Sequence, residues 1–214
     1  MRPVAVSVLL LVLCASGHSK HFVDGKERRP NVLLNSKISD YCWRDFVGII
    51  PSDAFKAGVD KSGNPLYIGQ VLFDEKLING KIFTDSDYVY FNWFFREHSK
   101  NKNGKIFCTN QPQKFEWIKT SHNKVLSLMN RKTLVPGGFE EYTTYIGRVL
   151  LGSENAVGKV VVTKDECLGL FTTSEGRSLT YNDFEILTYN PSINDTALCE
   201  TGIDIRFSGT EPKV

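Results

Sequence analysis

Residues 66–82, LYIGQVLFDEKLINGKI, and residues 144–160, TYIGRVLLGSENAVGKV, carry one pattern twice. Tyr67, Ile68, Gly69, Val71, Leu72, Gly80 and Lys81 match Tyr145, Ile146, Gly147, Val149, Leu150, Gly158 and Lys159 at a constant offset of 78. Such duplication restricts the chain to folds in which two copies of one supersecondary unit complete each other. The offset runs on to Glu97 and Glu175, after which KFEWI (114–118) answers DFEIL (183–187) at an offset of 69. That change predicts a nine-residue insertion in the first copy, carried as a protruding loop at 98–106. Upstream, Ile50–Pro51 answers Val135–Pro136, which makes the second copy seven residues shorter across AGVDKSG, the turn that holds Asp60.

From Tyr41 onward, short runs of Val, Ile, Tyr, Phe and Trp are broken by Gly, Asn, Asp and Pro. Strands of that length, with turn residues between them, predict an all-β fold in which the two repeats form a pseudo-twofold, sandwich-like domain. The expected boundaries are 41–119 for the first repeat and 120–190 for the second, with a C-terminal tail at 191–214. Residues 1–17 read as a secretory signal peptide: Arg2, an apolar run from Val4 to Leu13, then small residues at Ala15 and Gly17. Ten apolar residues are too few to span a bilayer, so no transmembrane segment is expected. Residues 18–40 are polar and aperiodic and read as a mobile lead-in.

Four cysteines follow the signal peptide: Cys42, Cys108, Cys167 and Cys199. An even count in a secreted chain favours two disulfides, whose connectivity the sequence leaves open. The places of Cys42 at the start of the first copy and Cys199 in the tail favour that pair, leaving Cys108 with Cys167. Without Arg2 the chain has 25 Lys plus Arg against 24 Asp plus Glu. That near balance, with no basic cluster, argues against a nucleic-acid partner. Asn194–Asp195–Thr196 is the only glycosylation sequon.

The ordered set YCWRDF, IIPSDAF, AGVD, YIGQ, INGK and KFEWI, largely repeated, resembles the DM-nine repeat family across about residues 41–190. The resemblance implies an all-β pair of repeats, metal-free recognition of mannose-type glycans and a place in innate immune recognition. It further implies that Asp60 and Lys81 contact sugar, with Lys159 the second lysine. Asn79 stands where the family often has Pro, and Gly138 falls where the second aspartate would be. Glu140 and Glu141 are the neighbouring carboxylates that can substitute.

Beside the resemblance, the residue chemistry is consistent with either a ligand or none. A carboxylate only accepts and an ammonium only donates, so Asp60 and Lys81 can hold a vicinal diol from both sides. The same two residues also suit an exposed ion pair with no ligand. Gly80 and Gly158, before the two lysines, read as turn glycines. In YVYFNWFFRE (88–97) period-two alternation places Tyr88, Tyr90 and Phe94 on one packed face, while exposure of the strip would suit a glycan or lipid; Phe171 is expected opposite Trp93. No phosphate loop, nucleophile elbow or zinc motif is present, and no glycine motif for a dinucleotide or S-adenosylmethionine. The expectation is a binding protein with no catalytic residues, metal or cofactor. A secreted structural or protein-interaction module without sugar affinity is the alternative.

Overall fold

In the computed structural model, residues 40–193 are described. The signal-peptide reading, most of the lead-in, the Asn194 sequon and Cys199 lie outside them. The first copy runs β1 (Cys42–Phe46), β2 (Lys56–Val59), β3 (Pro65–Phe73), β4 (Lys76–Phe83), β5 (Val89–Trp93), β6 (Arg96–Lys100) and β7 (Gly104–Cys108). The second runs β8 (Phe115–Ser121), a short helix α1 (Val125–Met129), β9 (Thr133–Leu134), β10 (Pro136–Phe139), β11 (Thr143–Leu151), β12 (Glu154–Val162), β13 (Cys167–Ser174), β14 (Arg177–Tyr181) and β15 (Asp183–Tyr189). The all-β expectation holds, and no helix among the described residues is long and apolar enough to cross a membrane.

The strand order reads β1-β7-β3-β4-β5-β6-β14-β13-β12-β11-β15-β8, a palindrome about the β6–β14 contact. Each strand therefore has a partner in the other copy, β3 with β11, β4 with β12, β7 with β15 and β1 with β8. β10 pairs both β11 and β4, so the path from β4 round to β11 returns to its start. Strands β3, β4 and β12 bury most of both faces, hence their near-continuous apolar text instead of strict alternation. Tight turns join the hairpins, with Asp74–Glu75 in the left-handed region at φ 50° and 58°.

Three apolar clusters follow the same symmetry. One belongs to the first copy (Val71, Ile78, Ile82, Val89, Phe91, Ile106) and one to the second (Val160, Leu170, Phe184, Ile186). Between them Ile68, Ile146, Phe107, Leu187, Ala57 and Val157 form a shared core. Each large apolar side chain buried there contributes about 1.5–3 kcal/mol, so neither copy keeps its full core alone. Reciprocal hydrogen bonds tie the copies polar group to polar group. Gln70 Nε2 donates to Gly137 O at 2.6 Å, and Arg148 Nη1 at the matching position donates to Ala57 O.

Register corrects the sequence alignment in several places. Gly69 faces Ile106 as Gly147 faces Ile186, so GKIFC is the counterpart of FEILT at an offset of 80. Residues 104–106 open β7, an internal strand, and no nine-residue insertion protrudes. KFEWI instead opens the second copy: Trp117 faces Leu187 as Trp43 faces Phe107. The pairing puts the junction between copies near residues 109–114 instead of 119/120. Lys56 faces Tyr67 as Pro136 faces Tyr145, so Pro51 is not the counterpart of Pro136 and the second copy is shorter by two residues there. Short alternating strands resemble one another, and text alone matched the wrong neighbours.

Gly80 and Gly158 are not turn residues. They sit mid-strand, where an added Cβ would lie 2.0 Å from Tyr90 O and 2.2 Å from Phe171 O. Only glycine lets the next strand's backbone pass that close. Cys42, Cys108 and Cys167 are free thiols. Cys108 and Cys167 cannot pair as expected, because they are buried in the separate cores of the two copies.

Candidate functional site

Lys81 on β4 and Lys159 on β12 face Tyr90 and Phe171 respectively, so these are the symmetry-related aromatics, in place of Trp93 and Phe171. Each lysine lies in a cleft walled by both copies. The first cleft, about 360 Å³, is lined by Asp60, Lys61, Lys81, Glu154 and Glu175 among others. The second, about 310 Å³, is lined by Trp93, Phe94, Phe95, Glu140, Lys159 and Phe171 among others. In each, the lysine belongs to one copy and the hairpin tip that forms the rim belongs to the other.

In the first cleft Lys81 does not pair with Asp60. Its Nζ donates to Glu154 Oε1 at 2.5 Å and to Thr173 O at 2.8 Å, over the Phe83 ring at 5.1 Å. Its side chain is 1% exposed and that of Glu154 4%. Asp60 is occupied by its own turn: Oδ1 accepts from Ser62 N and Asn64 N at 2.8 Å, and Oδ2 accepts from Asn64 Nδ2 at 3.2 Å. Desolvation pushes the Asp60 carboxyl up, but the Asn64, Ser62 and Gly63 bonds outweigh it and hold it below the ordinary aspartate value. Above the cleft Lys61 bonds Glu175, bridging the two walls.

The second cleft is built differently. Lys159 Nζ donates to Glu140 Oε1 at 2.5 Å and lies 5.2 Å from the centre of the Trp93 ring. Gly58 and Gly138 hold the same bulge position in β2 and β10, so Glu140, two residues on, is the counterpart of Asp60. Of the two carboxylates expected to substitute, Glu140 reaches the lysine and Glu141 lines neither cleft. Burial pushes the Lys159 ammonium down, and Glu140 pulls it partly back.

The rim of this cleft breaks a local rule. Phe94 and Phe95 form the β5–β6 turn at φ 43° and 61°. Bulky side chains are unfavourable there, and Glu175–Gly176 fills the matching turn with a glycine that is not. The two rings are 73% and 86% exposed, so Phe94 is not on a packed face as its alternation implied. A strained turn that leaves two aromatic rings in water points to a use outside the core.

Glu154 escaped the sequence reading, whereas the aromatic strip was weighed there both as a packed face and as an exposed contact for glycan or lipid. The offset of 78 put Lys76 opposite Glu154, which hid the carboxylate that pairs with Lys81. A wider groove, about 520 Å³, lies between β8, β11 and β15, but its arginine, Arg148, is already paired with Glu185 at 2.7 Å. His98 stacks on Phe91 at 5.8 Å and lines neither cleft.

The DM9 repeat family model matches residues 22–100, which takes in part of the polar lead-in and the first copy through β6. No curated protein matches the chain. Among solved structures, the crystal structure of the nematode sperm cell motility protein MFP2B is similar, with a TM-score of 0.49 and 9% identity. The similarity covers 72% of this chain and 47% of that one, so the chain spans about half the length of that neighbour.

Proposed function

With a DM9 repeat carried by residues 22–100, we propose that this protein is a secreted carbohydrate-binding protein whose main site is the Lys159–Glu140 cleft. It acts by recognition and not by catalysis, on mannose-type glycans at cell surfaces, in the manner of innate immune recognition. One observation carries this reading: a donor and an acceptor 2.5 Å apart at the floor of a cleft, flanked by aromatic rings. The Lys159 ammonium has three N–H groups and spends one on Glu140, so two remain for adjacent hydroxyls. Glu140 accepts from those hydroxyls, and the apolar face of the pyranose lies against Trp93 and Phe171. No metal is needed for any of these contacts.

Charge-assisted bonds of about 1.5–3 kcal/mol each, offset by desolvation of the pair, set an affinity on the order of millimolar per site. Useful strength then comes from multivalent display. The exposed Phe94 and Phe95 also support a second reading, docking of a protein partner without sugar. Titration of methyl α-mannoside into the labelled protein, followed by amide NMR with and without a chelator, separates them. Metal-independent shifts confined to residues around Lys159 are expected. No shifts, together with no retention on a dense mannan surface, would leave the docking reading in place.

A further inference from the structure

Cys42 and Cys108 stand directly opposite each other on β1 and β7. The corresponding pair in the second copy is Glu116 and Thr188. Opposed residues of an antiparallel pair put their side chains on one face of the sheet. The other edge of β7 bonds through Phe107 O, which accepts from Phe55 N at 3.0 Å, and through Thr109 N, which donates to Asp53 O at 2.8 Å. The N–H and C=O of Cys108 therefore face β1, which makes Cys42–Cys108 a hydrogen-bonded pair with Cα atoms about 5.5 Å apart. That Cα separation lies within the disulfide range, and closing the bond draws the Cβ atoms in from about 4.5–5.5 Å in an opposed pair to about 3.5–4.5 Å. Cys42 is exposed at the first position of its strand, where small movements are cheap, and Cys108 is buried beneath.

We propose that Cys42 and Cys108 are an oxidisable pair that closes a cross-strand disulfide between β1 and β7 by exchange with a low-molecular-weight disulfide. The surroundings fit the chemistry. Arg44, two residues along β1, pairs with Asp53 Oδ2 at 2.5 Å. Burial and the Asp53 charge push the Cys108 thiol up to about 12, so it waits as the neutral resolving group. Asp53 Oδ1 is buried without a hydrogen-bond partner.

The exchange runs in two steps. The Cys42 thiolate attacks one sulfur of glutathione disulfide, forming a mixed disulfide and releasing one glutathione thiolate. Cys108 then attacks Cys42 Sγ, breaking the bond to the second glutathione, whose leaving thiolate takes the Cys108 proton. Two protein thiols are oxidised to one disulfide, one glutathione disulfide is reduced to two thiols, and the two protons end on glutathione.

The test uses the full chain in glutathione buffers of rising oxidised fraction, quenched by alkylation and mapped by mass spectrometry without reduction. The expected product is a peptide pair joined through Cys42 and Cys108, with Cys167 alkylated, and a thermal midpoint higher by on the order of 10 °C. Cys42→Ser, a change at an exposed position, should fold as before and lose that rise. Cys42 found joined to Cys199, or left as a glutathione adduct while Cys108 is alkylated, would overturn the proposal.

Discussion

Lys81 and Lys159 hold the same position in their copies and both are buried, yet Lys81 is held between Glu154 and the Thr173 carbonyl, whereas Lys159 meets Glu140, a carboxylate 20% exposed. The walls differ as much. Where the first cleft has Glu175 bound to Lys61 across its mouth, the second has Phe94 with no bridge to the facing wall. Duplication supplied two lysines on equivalent strands, and substitutions at the rim then separated their uses. Because each rim comes from the opposite copy, a change in one copy's hairpin alters the other copy's cleft.

The contrast in burial has the largest expected effect. Glu154→Ala leaves the Lys81 charge enclosed without a partner, at a cost of about 3–5 kcal/mol. Glu140→Ala leaves Lys159, 6% exposed, without its carboxylate, but Glu140 is itself 20% exposed, so the cost should be smaller, about 1–3 kcal/mol. Urea midpoints of the two variants measure the difference, and equal losses would mean that the two pairs are alike. Binding should invert that order: Lys159→Ala and Glu140→Ala should each weaken methyl α-mannoside at least tenfold by NMR titration, while Asp60→Ala leaves it nearly unchanged. A large loss from Asp60→Ala would return the main site to the first cleft.

The aromatic rim allows a sharper test. Replacing Phe94 by Asn and Phe95 by Gly relieves two left-handed positions and should raise stability by about 1–2 kcal/mol in urea. The same pair of substitutions should weaken binding at the second cleft, the signature of a turn kept for contact and not for folding.

The smallest effect concerns the Lys61–Glu175 bridge. The hydrogen bond and charge of Lys61 hold the Glu175 carboxyl below the ordinary glutamate value. A depressed carboxyl contributes above its unfolded value and loses that contribution as pH falls through its folded one. Below the ordinary glutamate range the bridge should therefore open with little loss of stability. Glu175→Ala should do the same at neutral pH, visible as new sugar-dependent shifts near Lys81. Their absence would show that Glu154, and not the bridge, closes that cleft.

Much of this was legible in the chain. The offset of 78 over β3–β4 and β11–β12 identified the duplication because both strands are buried, and burial permits few substitutions. The alignment failed at KFEWI and DFEIL for a physical reason: β8 and β15 are neighbours in one sheet, with similar alternation and similar exposure. Their likeness reflects a shared environment and not equivalent places. Glu140 was within reach as a neighbouring carboxylate, but its selection over Glu141 depended on the β10 bulge.

By itself, then, the sequence determined the strand content, the twofold repetition and the two lysines, since periodicity and spacing are local properties of a chain. The tertiary structure decided which carboxylate each lysine meets, which side chains wall each cleft and which cysteines face each other. Those outcomes depend on strands from different copies lying side by side, and partners such as Lys81 and Glu154, 73 residues apart, are brought together only by the palindromic sheet.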